Sequence, residues 1–364
     1  MKISEIISEI EAVAPLFLQD DFDNSGIQTG DIEQDITGVI VSVDVTEAVL
    51  KEAVDLGCNL VISHHPLIFK PLKKISGGNY IERCVHFACK NNITVYACHT
   101  NLDNAAKGIN FYLAKKLGLQ KIRVLSPKKN NLLKLSVFVP ENHAESLRNA
   151  LFAAGAGFIG NYDSCSFNIN GKGSFRAGEN TNPFVGNKNE LHFEPETRIE
   201  TIIPAGIKST VIRTLLKVHP YEEPAFDIYP LLNDWNGAGS GAVGELPEEM
   251  SEIDLLEKIK SIFNLNVIKY SPLRGKKIRR VALCGGSGAF LIPDAIASGA
   301  EIFITGEAKY NDFYNVENKI LLAVAGHYET EVFTKQMFYD VISKKNITFA
   351  VHFSKVDSNP VSYM

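Results

Sequence analysis

Histidines and acids gather at strand ends in this 364-residue chain, and their types suit metal binding. His64 and His65 directly follow the apolar run LVIS. In a continuing strand their side chains would point to opposite faces, so both reach one centre only if the chain turns there, and Pro66 is placed to force a break. An isolated HH pair is more often one surface and one core histidine. Two later segments change that balance. VYACHTNLDNA and AVAGHYETEVF each close an apolar strand, and they align His99-x-x-x-Asp103 with His327-x-x-x-Glu331. On a helix, residues four apart share a face and can hold the same or adjacent ions. One such pair is weak evidence, since most are solvated, but recurrence at equivalent positions is stronger.

Imidazole with carboxylate oxygen suits zinc, iron, manganese or nickel. The six cysteines (Cys58, Cys84, Cys89, Cys98, Cys165, Cys284) contain no CxxC pair, which argues against a closed thiolate zinc site and against a disulfide framework. Carboxylates bridge readily, so a set of this kind complements two divalent ions per chain. Two ions in one cleft would acidify a shared water, and hydrolysis is the reaction class that follows. Weaker candidates surround the set. Asp44 in VSVDVT and Glu307 in ITGEAKY sit at strand ends, and Glu307 occupies the repeat position of His65; acid/base work or substrate contact competes with helix capping or a surface ion pair. CGGSGA, from Cys284 to Ala289, reads as a phosphate-cradling turn or as a tight turn that needs glycine.

The elements that must position these residues read as α/β. Helix Ile3 to Val13, strand Val39 to Val45, helix Thr46 to Leu56 stopped by Gly57, strand Leu60 to Ser63, a helix around Ile81 to Lys90 and strand Ile93 to Ala97 alternate in the first third. Continuous apolar strands between helices predict a sheet buried on both faces. From Lys134 to about Leu232 the order becomes β-α-β-β-α-β, which is ferredoxin-like, broken by GENTNPFVGNKN and closed by NDWNGAGSGAVG, read as loop and linker. The first pattern then resumes: residues 38–65 align without a gap on the segment ending at Glu307, with Gly57 and Gly299 in register. The expected architecture is a pair of duplicated α/β half-domains, residues 1–128 and 237–364, around a metal cleft, with an inserted domain at 129–236.

Composition bounds the rest. With 45% hydrophobic and 22% charged residues the chain is ordinary globular material. Glu5, Glu9 and Glu11 interrupt the first apolar stretch, which is wrong for a secretory signal, and no run approaches the roughly 20 apolar residues of a membrane span. A cytoplasmic protein is expected. A net charge of −5 counts against nucleic acid as a partner, and Lys276 to Arg280 is read as a solvated strand entrance.

Taken together, SHHPLIF, CHTNLDNA, GEAKYND, GHYETEVF and the early FDNSGIQTG resemble the motifs of the Nif-three-like family, the GTP cyclohydrolase 1 type 2 homologues, over roughly residues 1–125 and 240–364. HPYEEPAFDIYPL resembles the PII/CutA-like insert of the family's longer members. The resemblance implies a dinuclear site from His64, His65, Asp103, His327 and Glu331, with His99 beside it but outside the ligand set, and a ring-shaped homohexamer. Phe22 stands where the family commonly has tryptophan. It also implies a cyclohydrolase acting on GTP or a related nucleotide; such a reaction needs a nearby group to protonate the leaving nitrogen, and His99 is the candidate for it. The competing reading is a non-catalytic metal-binding regulator or scaffold whose insert is a lid or senses a small molecule.

Overall fold

The apolar runs Gly38–Ser42, Leu60–Ser63 and Thr94–Ala97 form three neighbouring parallel strands, every residue of them buried. They carry no polar/apolar alternation because both faces of the sheet are covered. The structure, a computed structural model, describes residues 1–364 and divides into two units, Met1–Pro127 with Gly237–Met364, and Lys128–Asn236. In the first unit those strands belong to a five-stranded sheet in the order Gly26–Thr29, Thr94–Ala97, Leu60–Ser63, Gly38–Ser42, Ala350–Phe353, antiparallel only at the Gly26–Thr29 edge. Helix Glu47–Asp55 is capped by Thr46, whose hydroxyl accepts from the Val49 amide, and ends where Gly57 takes φ +69°. Val49, Leu50 and Ala53 of that helix pack on Ile40 and Val61. Helix Ile3–Val13 buries Ile3, Ile6, Ile7 and Ile10, one stripe at helical spacing whose burial contributes about 2 kcal/mol per side chain.

The same unit holds a six-stranded sheet in the order Lys269–Tyr270, Leu321–Val324, Ile302–Thr305, Lys277–Cys284, Trp235–Ser251, Gln120–Lys128. Its central three strands are parallel and, like the first set, end together on one side. Gly299, at φ +75°, closes the helix Ile292–Ala297 before strand Ile302–Thr305. The glycine-rich segment expected to be a linker is instead most of the 17-residue strand Trp235–Ser251. Its glycines serve close approach: a Cβ at Gly239 would collide with the Ser126 carbonyl, and one at Gly241 or Gly244 would press within 2.9 Å of the Leu283 or Gln120 carbonyl.

The second unit runs strand Leu132–Pro140, helix Ala144–Ala153, strands Ser166–Arg176 and Leu191–Pro204, helix Lys208–Val218, strand Phe226–Leu231. The four strands form one antiparallel sheet, and its core joins Leu135, Val137 and Val139 to Leu147, Leu151, Val211 and Leu215 of the helices. No helix of either unit is long and apolar enough to cross a membrane.

Candidate metal centre

Strand Leu60–Ser63, the central strand of the first sheet, delivers His64 and His65 at its C-terminal end, and a backbone turn brings both side chains inward. The turn is made by the Val43 carbonyl, which accepts from the amides of both His64 (3.1 Å) and His65 (2.9 Å). The Ser63 hydroxyl donates to the His65 carbonyl at 2.8 Å and closes the turn. The break expected from Pro66 is therefore already complete one residue earlier. His327 and Glu331 stand on the short helix His327–Glu331 and so do share a face. The parallel expectation for His99 and Asp103 is corrected: the helix is Thr100–Asp103, and His99 precedes it with φ −108° and ψ −111°, outside the helical range. His99 is the N-cap of that helix, its carbonyl accepting from the Leu102 amide (2.8 Å) and the Asp103 amide (3.1 Å), while Asp23 accepts from the Thr100 amide and hydroxyl and meets the His99 ring.

Three of the four imidazoles spend Nδ1 on a hydrogen-bond partner, whereas His327 Nδ1 only approaches a carboxylate without hydrogen-bond geometry. His64, fully buried, has Nδ1 2.9 Å from the Cys98 carbonyl, which only accepts, so Nδ1 carries the proton and Nε2 has no hydrogen-bond partner. His65 Nδ1 lies 2.7 Å from Asp44 Oδ1, His327 Nδ1 lies 3.0 Å from Glu307 Oε1, and His99 Nδ1 lies 2.8 Å from Asp23 Oδ1. Carboxylate or carbonyl partners of this kind fix the ring and aim the other nitrogen at a metal. The free ends converge on Glu331, whose carboxylate is 5% exposed. Its Oε2 is 2.9 Å from His65 Nε2 and 3.0 Å from His327 Nε2, and those two nitrogens are 3.3 Å apart. Two ligand atoms bonded to one tetrahedral zinc ion stand about 3.3 Å apart. On the other side Glu331 Oε1 and Asp103 Oδ1 each lie 3.6 Å from His64 Nε2, too far for hydrogen bonds and close enough to share an ion. Two groups, His65 with His327 and Glu331, and His64 with His65 and His99, have donor atoms mutually within 4.8 Å, so the residues present fit a metal.

The electrostatics lead to the same conclusion. Burial alone would raise the Glu331 carboxyl, but the surrounding imidazoles, His64 foremost, hold it well below the usual carboxylate range. Burial would likewise depress the His65 imidazole, yet hydrogen bonds to Asp44 and Glu331 and their charges lift it to about 10. Burial raises Asp103 to about 7 against the pull of His99. A buried carboxylate such as Glu331 among aimed ring nitrogens is expensive unless a cation sits beside it, whereas Asp103 keeps partial access to solvent. Glycine makes the room: Gly286, at φ +58°, lies where a Cβ would collide with Glu331 Oε1.

That glycine also decides the reading of CGGSGA. Its amides at Gly285, Gly286 and Gly288 are taken by Asn110, Thr330 and Thr305, so the tight turn stands and a phosphate cradle does not. Glu307 touches His327 and accepts from the Ser287 hydroxyl, lying behind the histidine rather than among the converging atoms. Two cavities open on the cluster. One of about 500 Å³ reaches His99, Asp103, His327 and Glu331, with Phe22 and Phe290 on its wall. The other, of about 540 Å³, reaches His65, Glu307 and His327. Sequence reasoning passed over Asp23, although FDNSG was in view, and nothing local marks Ser358, whose hydroxyl donates to Asp44 Oδ2 at 2.7 Å.

A family model described as Duf34/NIF3 (NGG1p interacting factor 3) matches residues 1–360. The chain belongs to the Duf34/NIF3 family. Among Duf34/NIF3 relatives, a Halalkalibacterium halodurans protein named GTP cyclohydrolase 1 type 2 homolog is 40% identical over 315 residues, 85% of each chain. A Bacillus subtilis protein of the same name is 35% identical over 369 residues, covering 99% of this chain and 98% of its own. Among solved structures, a Bacillus cereus protein related to NIF3 superposes with a TM-score of 0.85 at 36% identity, covering 100% of this chain and 99% of that one.

Proposed function

We propose that this chain is a dinuclear metal-binding protein and a metal-dependent hydrolase of the GTP cyclohydrolase 1 type 2 kind, acting on a nucleotide-like substrate. The observation that carries the reading is the two-sided Glu331 carboxylate, one oxygen against His65 and His327 and the other facing His64. His64, His65, Asp103, His327 and Glu331 are the residues that would hold the ions. Divalent ions held there supply Lewis acidity, acidifying water and polarising a substrate oxygen or ring. The chain's own residues do the rest. Asp44 orients His65, and Glu307 stands beside the His327 ring as an ion-pair neighbour. His99, with Nδ1 tied to Asp23, lines the 500 Å³ cavity and is placed to pass a proton to a leaving nitrogen. Phe22 and Phe290, each 65% exposed, offer flat faces on the same cavity to a planar base.

On this reading the two parallel-stranded sheets are duplicated halves and Lys128–Asn236 is a ferredoxin-like insert of the PII/CutA kind. A homohexamer in the cytoplasm, with zinc, iron, manganese or nickel as the ion, completes the proposal. The names of the curated relatives support the substrate class. Formate release from GTP by the metal-loaded protein, lost in Glu331→Ala while the melting curve keeps its cooperativity, is the expected result; no release under any of the four metals removes the hydrolase. A second reading, a metal-binding regulator with a sensing insert, is favoured by one observation: the insert has its own cavity of about 430 Å³.

A further inference from the structure

Two segments left unused by the metal site, GENTNPFVGNKN and HPYEEP, meet within the Lys128–Asn236 unit around that 430 Å³ cavity. Phe138, Phe175, Phe184 and Tyr221 line it. The Tyr221 ring centre lies 6.0 Å from that of Phe175 and 6.3 Å from that of Phe184, with the planes inclined at 58° and 50°, so the rings present faces in different directions instead of stacking. The cavity is of ligand size, and its aromatic walls offer no metal-ligating atoms.

The lining is held in place. His219 is buried, and its Nε2 donates to the Phe138 carbonyl at 2.9 Å while its Nδ1 accepts from the Tyr221 amide at 3.0 Å. The Tyr221 hydroxyl donates to Glu196 Oε1 at 2.8 Å, and a Cβ at Gly173 would collide with Glu196 Oε2, so glycine keeps that carboxylate in position. Glu222 accepts from the Asn182 amide at 2.9 Å and ties the loop carrying Phe184 to the HPYEEP turn. Around the same cavity stand three carboxylates, Glu196, Glu222 and Glu223, against one guanidinium, Arg176. Aromatic faces and surplus negative charge attract the same thing, a diffuse positive charge on an apolar body.

We infer that this cavity binds an organic cation, a quaternary or N-methylated ammonium group enclosed by Phe175, Phe184 and Tyr221 with the carboxylates at its rim. The inference gives the sensing reading its ligand class and is independent of the hydrolase reading. The test is calorimetric titration of the full-length protein with choline, beside its uncharged isostere 3,3-dimethyl-1-butanol and the anion benzoate. Choline is expected to bind saturably, with the neutral isostere at least about tenfold weaker. Phe184→Ala and Tyr221→Ala should each weaken choline by about tenfold, whereas Tyr221→Phe, which keeps the ring, should stay within about threefold. Phe184 is 51% exposed, so its variant retains the fold, and an unchanged melting temperature checks this. Equal binding of the isostere, preference for benzoate, or no saturable choline binding in the millimolar range overturns the inference. Choline binding that leaves metal affinity unchanged supports the site while removing the regulator.

Discussion

Loading the metal centre should release protons, and their number is set by the metal-free state. His65, lifted to about 10 by Asp44 and Glu331 against the opposing effect of burial, holds its proton three pH units above neutrality. An ion binding through Nε2 must expel that proton, a handicap of about a thousandfold in affinity at pH 7. Asp103, which burial raises to about 7, adds a second proton on the acid side. Both groups are raised, so both hold protons at low pH and lose them as pH rises; metal affinity therefore climbs with pH. The expected slope is at least about tenfold per unit between neutrality and pH 10, and at least about a hundredfold per unit below pH 7. Calorimetric titration of chelator-stripped protein with zinc, in two non-coordinating buffers of different ionisation heat, counts the protons directly. His65→Ala should lower the count by about one. An affinity that is flat between about pH 6 and 8, with no protons released, would refute the assignment of His65 as a ligand.

Asp44→Asn, which turns a ring-orienting acceptor into an amide, should weaken metal binding by about 10- to 100-fold in chelator competition. Glu307→Gln should cost less than about tenfold, because its side chain is 57% exposed and water can replace it. Gly286→Ala should empty the site by pushing on Glu331, whereas Gly57→Ala, at φ +69° with open space around it, should lower stability by about 1 kcal/mol and leave metal content unchanged; elemental analysis and urea melts separate the two. Asp23→Asn loosens His99 without touching a proposed ligand, so formate release should fall while metal stoichiometry holds.

The parallel strands were legible because a strand covered on both faces is apolar along most of its length, and GVIVS, LVIS, IFIT and LLAV are apolar up to a terminal serine or threonine in the first three. The histidines and acids were legible because they interrupt that pattern where strands end. Trp235–Ser251 was not, since its glycines answer to neighbouring carbonyls that lie far away in sequence, and composition cannot distinguish a glycine that permits close packing from one that permits motion. The symmetry between the His99 and His327 segments is offset by one position, since His99 caps its helix while His327 begins its own, and the Asp23 that meets the His99 ring lies 76 residues earlier. Likewise the Ser358–Asp44–His65 chain joins residues more than 300 positions apart, which no local window contains.

Anomalous diffraction from metal-loaded crystals, collected at the absorption edge of the ion added, tests the dinuclear centre most directly. Two peaks are expected in each chain, one between His65, His327 and Glu331 and one between His64, Asp103 and Glu331, both absent in Glu331→Ala. A single peak, or none at these residues in fully loaded protein, would contradict it.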